Sequence, residues 1–215
     1  MTEQVNAHLN TLIQRYPCLE TVRESIANSF ALICDCYERG GKLLIAGNGG
    51  SCSDAEHIVG ELMKGFVLRR KLPNAVCEAL MDADAALGAE LADNLQEGLP
   101  AVALSSHSSL NTAFLNDVNG EMMYAQQLCA LGRAGDVFLG ITTSGNAKNV
   151  RYAAVTAKAK GMKVIGLTGK SGGAMNDLAD VNIVVPGNET YQIQELHLPV
   201  YHCLCLMLEE RFFNK

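Results

Sequence analysis

Short apolar runs that alternate with helical patterns constrain the fold of this chain most strongly. Five runs read as buried strands: 42–46, 101–104, 136–141, 163–168 and 181–185. Most are separated by segments in which apolar residues recur at steps of three and four, the pattern of an amphipathic helix. Such alternation indicates parallel strands joined by helices that cover both faces of the sheet. We therefore expect an α/β fold, a three-layer αβα sandwich around a five-stranded parallel sheet.

The length of 215 residues favours a single domain over 1–215. Residues 1–40 form a helical pattern that stops at Gly40 and Gly41. Because only 19% of the residues are charged and 48% are hydrophobic, we expect these N-terminal helices to be used in oligomerisation. Residues 67–99 form an extra helical segment that is long for a connection in such a fold. A last helix is expected over 191–213, with a kink or a weakened turn at Pro199.

Charge and cysteine content narrow the class of protein. The net charge of −6 argues against a general nucleic-acid binder or a membrane-surface binder, since no wide basic field is available. The first residues lack the features of a signal peptide, and no apolar run reaches membrane-span length. We therefore expect a cytoplasmic protein whose eight cysteines are reduced.

The polar turn after the strand at 136–141 is a candidate phosphate site. Ligands of open parallel sheets bind beyond the carboxyl ends of the strands. Here Thr142, Thr143 and Ser144 offer hydroxyl donors, and Gly145 allows a ligand to approach the backbone closely. The start of the following helix adds free N–H groups and the positive end of a dipole. A plain turn with a Ser/Thr helix cap is an equally weighted alternative for this motif alone.

A second turn, Gly47-Asn48-Gly49-Gly50-Ser51, follows the first strand. It matches neither the dinucleotide nor the nucleoside-triphosphate fingerprint, so it is interpreted as a backbone-rich anion turn. Ser53 and Glu56 have capping-box spacing and predict the start of a helix. On that helix His57 and Glu61 are four residues apart and point the same way. Such a pair is more often a surface contact, but its place behind an anion turn favours a functional site.

The last helix supplies Gln194, Glu195, His197 and His202. The two histidines are five residues apart, so they point about 140° from each other and cannot both face one pocket. Gln194 and His202 lie about 12 Å apart along a helix. They reach one site only if Gln194 sits at or before the first turn, or if Pro199 bends the helix.

These motifs together resemble the sugar isomerase (SIS) domain family, and within it the phosphoheptose isomerases. The resemblance rests on GNGGS with His57 and Glu61 behind it, on TTSGN, and on the late Q-E-x-H with a second histidine five residues on. It covers nearly the whole chain except about 67–99. It implies the SIS fold and an aldose–ketose isomerase that converts sedoheptulose 7-phosphate to glycero-manno-heptose 7-phosphate. Members are usually homotetramers with sites at subunit interfaces.

The resemblance also implies roles for individual residues. Glu61 would be the base that moves a proton between C1 and C2, and His202 the acid that serves the carbonyl oxygen. A zinc ion would be held by His57, Glu61, Gln194 and His202. The implied substrate contacts are Asn48, Gly49, Gly50, Ser51, Glu61, Asn116, Asp117, Thr142, Thr143, Ser144 and Gln194. Three departures concern the pocket: Ala147 replaces a further phosphate-binding serine, Tyr191 replaces an aspartate, and the extra segment 67–99 would lie near the entrance and reshape its sugar end.

Two other classes of function stay open on the sequence. One is a non-catalytic SIS scaffold that binds a replication initiator, although that lineage lacks the acid–base pair that Glu61 and His202 provide here. The other is a sugar-phosphate sensor, as in some transcription regulators, but no DNA-binding helix-turn-helix or basic arm accompanies the domain.

Overall fold

A single parallel sheet forms the centre of the computed structural model, which describes residues 1–214. Its strands are β1 (Leu43–Gly47), β2 (Ala101–Ala103), β3 (Val137–Thr142), β4 (Lys163–Thr168) and β5 (Val181–Val184). They lie in the order β2-β1-β3-β4-β5, and every neighbouring pair is parallel. The expected five-stranded α/β fold is confirmed, and the strand ends differ from the sequence prediction by at most one residue.

Helices account for most of the remaining described residues. They are α1 (Glu3–Arg15), α2 (Arg23–Glu38), α3 (Gly50–Met63), α4 (Asn74–Ala83), α5 (Ala85–Asn94), α6 (Ser108–Phe114), α7 (Met123–Leu131), α8 (Lys148–Ala159), α9 (Met175–Leu178) and α10 (Thr190–Phe213). A tight 3₁₀ segment, Pro17–Val22, lies between α1 and α2 within the helical pattern predicted for 1–40. Within residues 1–214, no helix is both long and apolar enough to cross a bilayer.

Two separate cores cover the two faces of the sheet. Along β1 successive side chains point to opposite faces, so Leu43 and Ile45 join one core while Leu44 and Ala46 join the other. The first core contains side chains of α1, α2, α3 and α10, and the second contains those of α7, α8 and α9. The predicted three-layer αβα arrangement is therefore confirmed.

The segment 67–99 contains a helical hairpin made of α4 and α5. The two helices pack so closely that a Cβ on Gly88 would collide with the carbonyl oxygen of Leu80. None of the residues of α4 is buried, and several apolar side chains of the hairpin are exposed, among them Val76 and Leu87. The hairpin packs mainly on itself.

The start of α3 differs from its sequence prediction. The capping-box interpretation placed the helix start at Ser53, whereas α3 begins at Gly50. Gly49 has φ +57° and turns the backbone directly into the helix, and the Ser51 N–H already donates to the Asn48 carbonyl at 3.0 Å. Only glycine adopts this left-handed region readily, so the glycine turn sets the helix start three residues earlier.

The terminal helix α10 continues without interruption through the buried Pro199. It lies parallel to α3 in a constant register. A Cβ on Gly50 would lie 2.5 Å from Gln194 Nε2, and seven residues further along each helix Tyr201 Oη lies 3.0 Å from His57 Nδ1. This register decides which predicted site residues meet.

Candidate functional site

The two predicted anion turns lie side by side at the carboxyl edge of the sheet. Strands β1 and β3 are neighbours, and Gly47 pairs with Ile141, so the chain leaves both strands at the same level. The turns line a cleft of about 380 Å³. Its lining residues are Asn48, Gly49, Gly50, Ser51, Ile141, Thr142, Thr143, Ser144, Ala147, Thr190 and Gln194. We name this cleft the cradle.

The first wall of the cradle is the N-terminus of α3. Free N–H groups and the positive end of the helix dipole favour an anion there. The side chain of Asn48 is fixed by reciprocal amide hydrogen bonds with Asn149, at 2.9 and 2.8 Å. The hydroxyl of buried Tyr124 donates to the Gly47 carbonyl at 2.7 Å. Sequence reasoning missed Asn149 and Tyr124, because they lie 101 and 77 residues from their partners and belong to no local motif.

The second wall is the loop after β3. Gly145 has φ +69°, and a Cβ there would lie 1.9 Å from the carbonyl oxygen of Gly172, so only glycine fits. Thr143 and Ser144 are half-buried, and the Ser144 hydroxyl accepts a hydrogen bond from the Asn146 N–H at 3.2 Å. Ala147 also lines the cradle and supplies no side-chain donor.

The predicted acid and base lie close together in a second place. His57 Nε2 is 3.2 Å from Glu61 Oε1 and 3.5 Å from His202 Nε2. The Glu61 side chain is mostly shielded, with 13% of its surface exposed, and its second oxygen lies 3.1 Å from Lys64 Nζ. The phenol of buried Tyr201 contacts the other ring nitrogen of His57, with Oη 3.0 Å from Nδ1. We name His57, Glu61 and His202 the acid–base cluster.

Burial gives His202 a pKa below that of an ordinary histidine. Desolvation is the larger cause, and the neighbouring His57 lowers the pKa further while Glu61 opposes the shift. A histidine with a lowered pKa is neutral at neutral pH, so its ring is available as a hydrogen-bonding acid rather than as a fixed cation.

His197 has a different role from His202. Its ring is fully buried, and Nε2 lies 3.2 Å from the Thr168 carbonyl, to which it donates. The prediction that the two histidines do not share a pocket is consistent with this geometry.

Gln194 lies in the cradle and not with the acid–base cluster. It sits in the second turn of α10, and the helix is continuous through Pro199. The first condition that the sequence set for Gln194 to join His202, a place at or before the first turn of the helix, is not met within one chain. The cradle and the cluster are therefore separated along the two parallel helices.

The predicted zinc ligands lie in two places, with Gln194 in the cradle and the other three in the acid–base cluster. Among residues 1–214, no group of three or more His, Cys, Asp or Glu side chains is arranged to hold a metal ion. Both short distances in the acid–base cluster involve the same atom, His57 Nε2.

The remaining predicted substrate contacts lie beside the cradle. Asn116 and Asp117 are exposed in the π-helical segment Leu115–Asn119, and their side chains bond to each other at 2.8 Å. Their neighbours Leu115 and Asn119 line an adjoining cleft that also contains Asn48. Both residues are thus near the cradle and are not among its lining residues.

Comparison with known proteins places this chain among sugar-phosphate enzymes. A family model described as the SIS domain matches residues 89–169. The chain is 39% identical over 197 residues to a phosphoheptose isomerase of Helicobacter pylori, which covers 92% of this chain and 89% of the relative. Two solved phosphoheptose isomerase structures are similar. The structure from Neisseria gonorrhoeae has a TM-score of 0.73 and 32% sequence identity, and the match covers 97% of this chain and 98% of the Neisseria chain. The structure from Francisella tularensis has a TM-score of 0.75 and 31% sequence identity, and the match covers 98% of this chain and 100% of the Francisella chain.

Fold, cradle and acid–base cluster therefore coincide with a similarity that extends over nearly the full length of the chain. The resemblance drawn from the sequence motifs is confirmed. This chain belongs to the phosphoheptose isomerase family of SIS-domain proteins.

Proposed function

We propose that the chain is an aldose–ketose isomerase that converts sedoheptulose 7-phosphate to glycero-manno-heptose 7-phosphate. The observation that carries the proposal is the acid–base cluster, in which a shielded Glu61 carboxylate and a histidine with a lowered pKa lie on either side of His57. A scaffold or a sensor would need no such pair. The names of the full-length relatives support the same activity.

In this reaction Glu61 moves a carbon-bound proton. Its carboxylate takes a proton from C1 of the ketose, while His202 supplies a proton to the C2 oxygen, which gives an enediol. Glu61 then returns its proton to C2, and His202 regains a proton from the C1 oxygen. No proton is gained or lost overall. A neutral histidine is suited to this role, because its ring N–H can donate to the C2 oxygen and the ring can then take up the proton of the C1 oxygen.

The cradle would hold the phosphate. Its hydroxyl groups and the N–H groups at the start of α3 offer several hydrogen bonds to a dianion. The loss of one donor at Ala147 leaves Thr143, Ser144 and the backbone of the glycine turn to do this.

The site would be completed by a second copy of the chain. Glu61 follows Gly50 by eleven residues, so the base lies about 16 Å along α3 from the cradle. The seven bonds from C2 to phosphorus span only about 8 Å, at the reach of an extended chain. His202 lines a different cleft, between α1 and α10, and does not line the cradle. The cradle of one chain and the cluster of another would then form one site, and this supports the homotetramer.

Zinc is part of the proposal, and the metal content of the purified oligomer tests it. One chain does not bring Gln194 to the other three predicted ligands, so we assign no step to a metal. A reducing cytoplasm is also proposed, which the eight unpaired cysteines support.

Replacing the base tests the proposed reaction. Glu61→Gln keeps the size of the side chain but cannot accept the proton, so turnover should fall by about 10²–10⁴-fold. Exchange of a C1 proton of the ketose with solvent should be lost as well, because it needs the base even when turnover is slow. Glu56→Gln is the matched control, since this exposed glutamate lies on the same helix and contacts Ser105. Exchange that persists in Glu61→Gln would show that another residue is the base.

A further inference from the structure

A fully buried arginine, Arg70, hydrogen-bonds to the C-terminal end of α3, the helix that carries Glu61. The last carbonyl groups of α3 have no partner within the helix. The Arg70 guanidinium, which is 0% exposed, donates to two of them, with Nη1 2.7 Å from the Leu62 oxygen and Nη2 3.0 Å from the Glu61 oxygen. Its third contact, from Nε, is to the Glu209 carboxylate at 2.9 Å. Arg70 therefore caps the helical turn on which the proposed base lies.

Glu209 holds the chain segment that follows α3. Its two oxygens accept hydrogen bonds from the backbone N–H groups of Phe66, Val67 and Leu68 at 2.8, 2.9 and 3.2 Å. Burial alone would raise the pKa of Glu209, but these donors and Arg70 outweigh burial and lower the pKa. Glu209 is thus an ionised, buried carboxylate whose hydrogen-bonding partners all lie in 66–70.

The same pair also reaches the proposed acid. Glu209 follows His202 by seven residues on α10, so the two side chains point in directions only about 20° apart. The ring of Phe66, whose N–H is held by Glu209, packs against the His202 ring with centroids 5.5 Å apart. One ion pair is therefore linked to the backbone of Glu61 and to the ring of His202.

We propose that Arg70 and Glu209 are positioning residues that fix the separation of Glu61 from His202. The inference rests on the proposed function, because it takes these two residues as base and acid. Stability alone does not need buried charges here, since apolar side chains of similar volume often fill such a place equally well. What an apolar pair could not do is hold the Glu61 carbonyl and the Phe66 N–H at the same time. Arginine suits this role because its planar group presents several donors in a fixed geometry.

Steady-state kinetics of Arg70→Lys and Glu209→Gln test the proposal in the full-length protein. Lysine keeps the charge but cannot serve three acceptors in one plane. We expect kcat to fall by about 10- to 100-fold, the effect of a small misplacement of a reacting group. KM for the sugar phosphate should change little, since neither residue lines the cradle that would hold the phosphate. If Arg70→Lys does not fold, Arg70→Met combined with Glu209→Leu removes both charges and keeps a measurable protein.

Asp136→Asn is the matched control. Asp136 is also a buried carboxylate, which accepts the Lys42 and Arg133 N–H groups and pairs with Lys42 Nζ at 2.6 Å. It lies at the amino edge of the sheet, just before β3, and its side chain bonds to Lys42 and Arg133 rather than to the Arg70–Glu209 pair or the acid–base cluster. Its loss should lower the melting temperature without changing kcat. If Arg70→Lys and Glu209→Gln lower kcat no more than Asp136→Asn does, the pair is only structural and the proposal is wrong.

A readout without turnover separates this proposal from the proposed function. The NMR ring resonances of His202 should move in Arg70→Lys and stay in place in Asp136→Asn. A wild-type protein that isomerises no ketose phosphate would contradict the proposed function, yet the resonances would still test the positioning. Unmoved resonances in Arg70→Lys would overturn the positioning even in an active enzyme.

Discussion

Mixed oligomers of two inactive variants can test whether each site is shared between chains. Glu61→Gln removes the proposed base, and Ser144→Asp places a negative charge in the cradle where the phosphate would bind. The base and the cradle are about 16 Å apart along α3, beyond the reach of the substrate within one chain. If each site takes its base from one copy and its cradle from another, half of the bases and half of the cradles are intact. Random assortment then restores about one quarter of the sites.

The assay needs the two variants to be co-expressed with different tags and purified through both. Each variant alone should be inactive, and the doubly purified oligomer should isomerise sedoheptulose 7-phosphate at about one quarter of the wild-type rate. Glu61→Gln mixed with His202→Asn is the control. These two residues both lie in the acid–base cluster of one chain, so no mixed site regains both and activity should stay absent. Verified hetero-oligomers of the first pair that remain inactive would refute the shared site.

Three further outcomes follow from the geometry. Ser144→Ala should weaken binding of a sugar phosphate by about 1.5–3 kcal/mol, by calorimetry, and leave the unphosphorylated sugar unaffected; an equal loss for both ligands would give the loop another role. Burial lowers the pKa of His197 to about 4, against the opposing effect of the Thr168 carbonyl. As the pH falls, His197 is protonated in the unfolded chain before it is protonated in the folded chain. The free energy of unfolding, measured with urea, should therefore decrease by about 3 kcal/mol from pH 7 to pH 4. A His197→Gln profile equally steep over this range would contradict that. Zinc should be present at one ion per site in the purified oligomer, and full activity of metal-free protein would exclude the predicted ligand role.

The motifs of the site could be predicted from the sequence because each one consists of residues that are close together in the chain. A glycine turn between a strand and a helix is set by φ preferences and apolar period, which act over a few residues. The sequence therefore places Asn48 to Ser51 and Thr142 to Ser144 at the carboxyl ends of strands. Where it erred, at the start of α3, two local signals competed, and the left-handed Gly49 prevailed over the capping-box spacing of Ser53.

The sequence by itself determined the five strands, the two anion turns and the parallel α/β class. Only the tertiary structure decided that β1 lies beside β3, which brings the turns together, and that α10 lies parallel to α3 in a register that leaves Gln194 in the cradle. It alone brought Arg70 to Glu209, 139 residues away. Local preferences carry no information on such pairs, because contacts between distant residues depend on which surfaces pack after loop-closure entropy has been overcome. The sequence determines the chemistry of each side chain, and tertiary packing determines which other residues that side chain contacts.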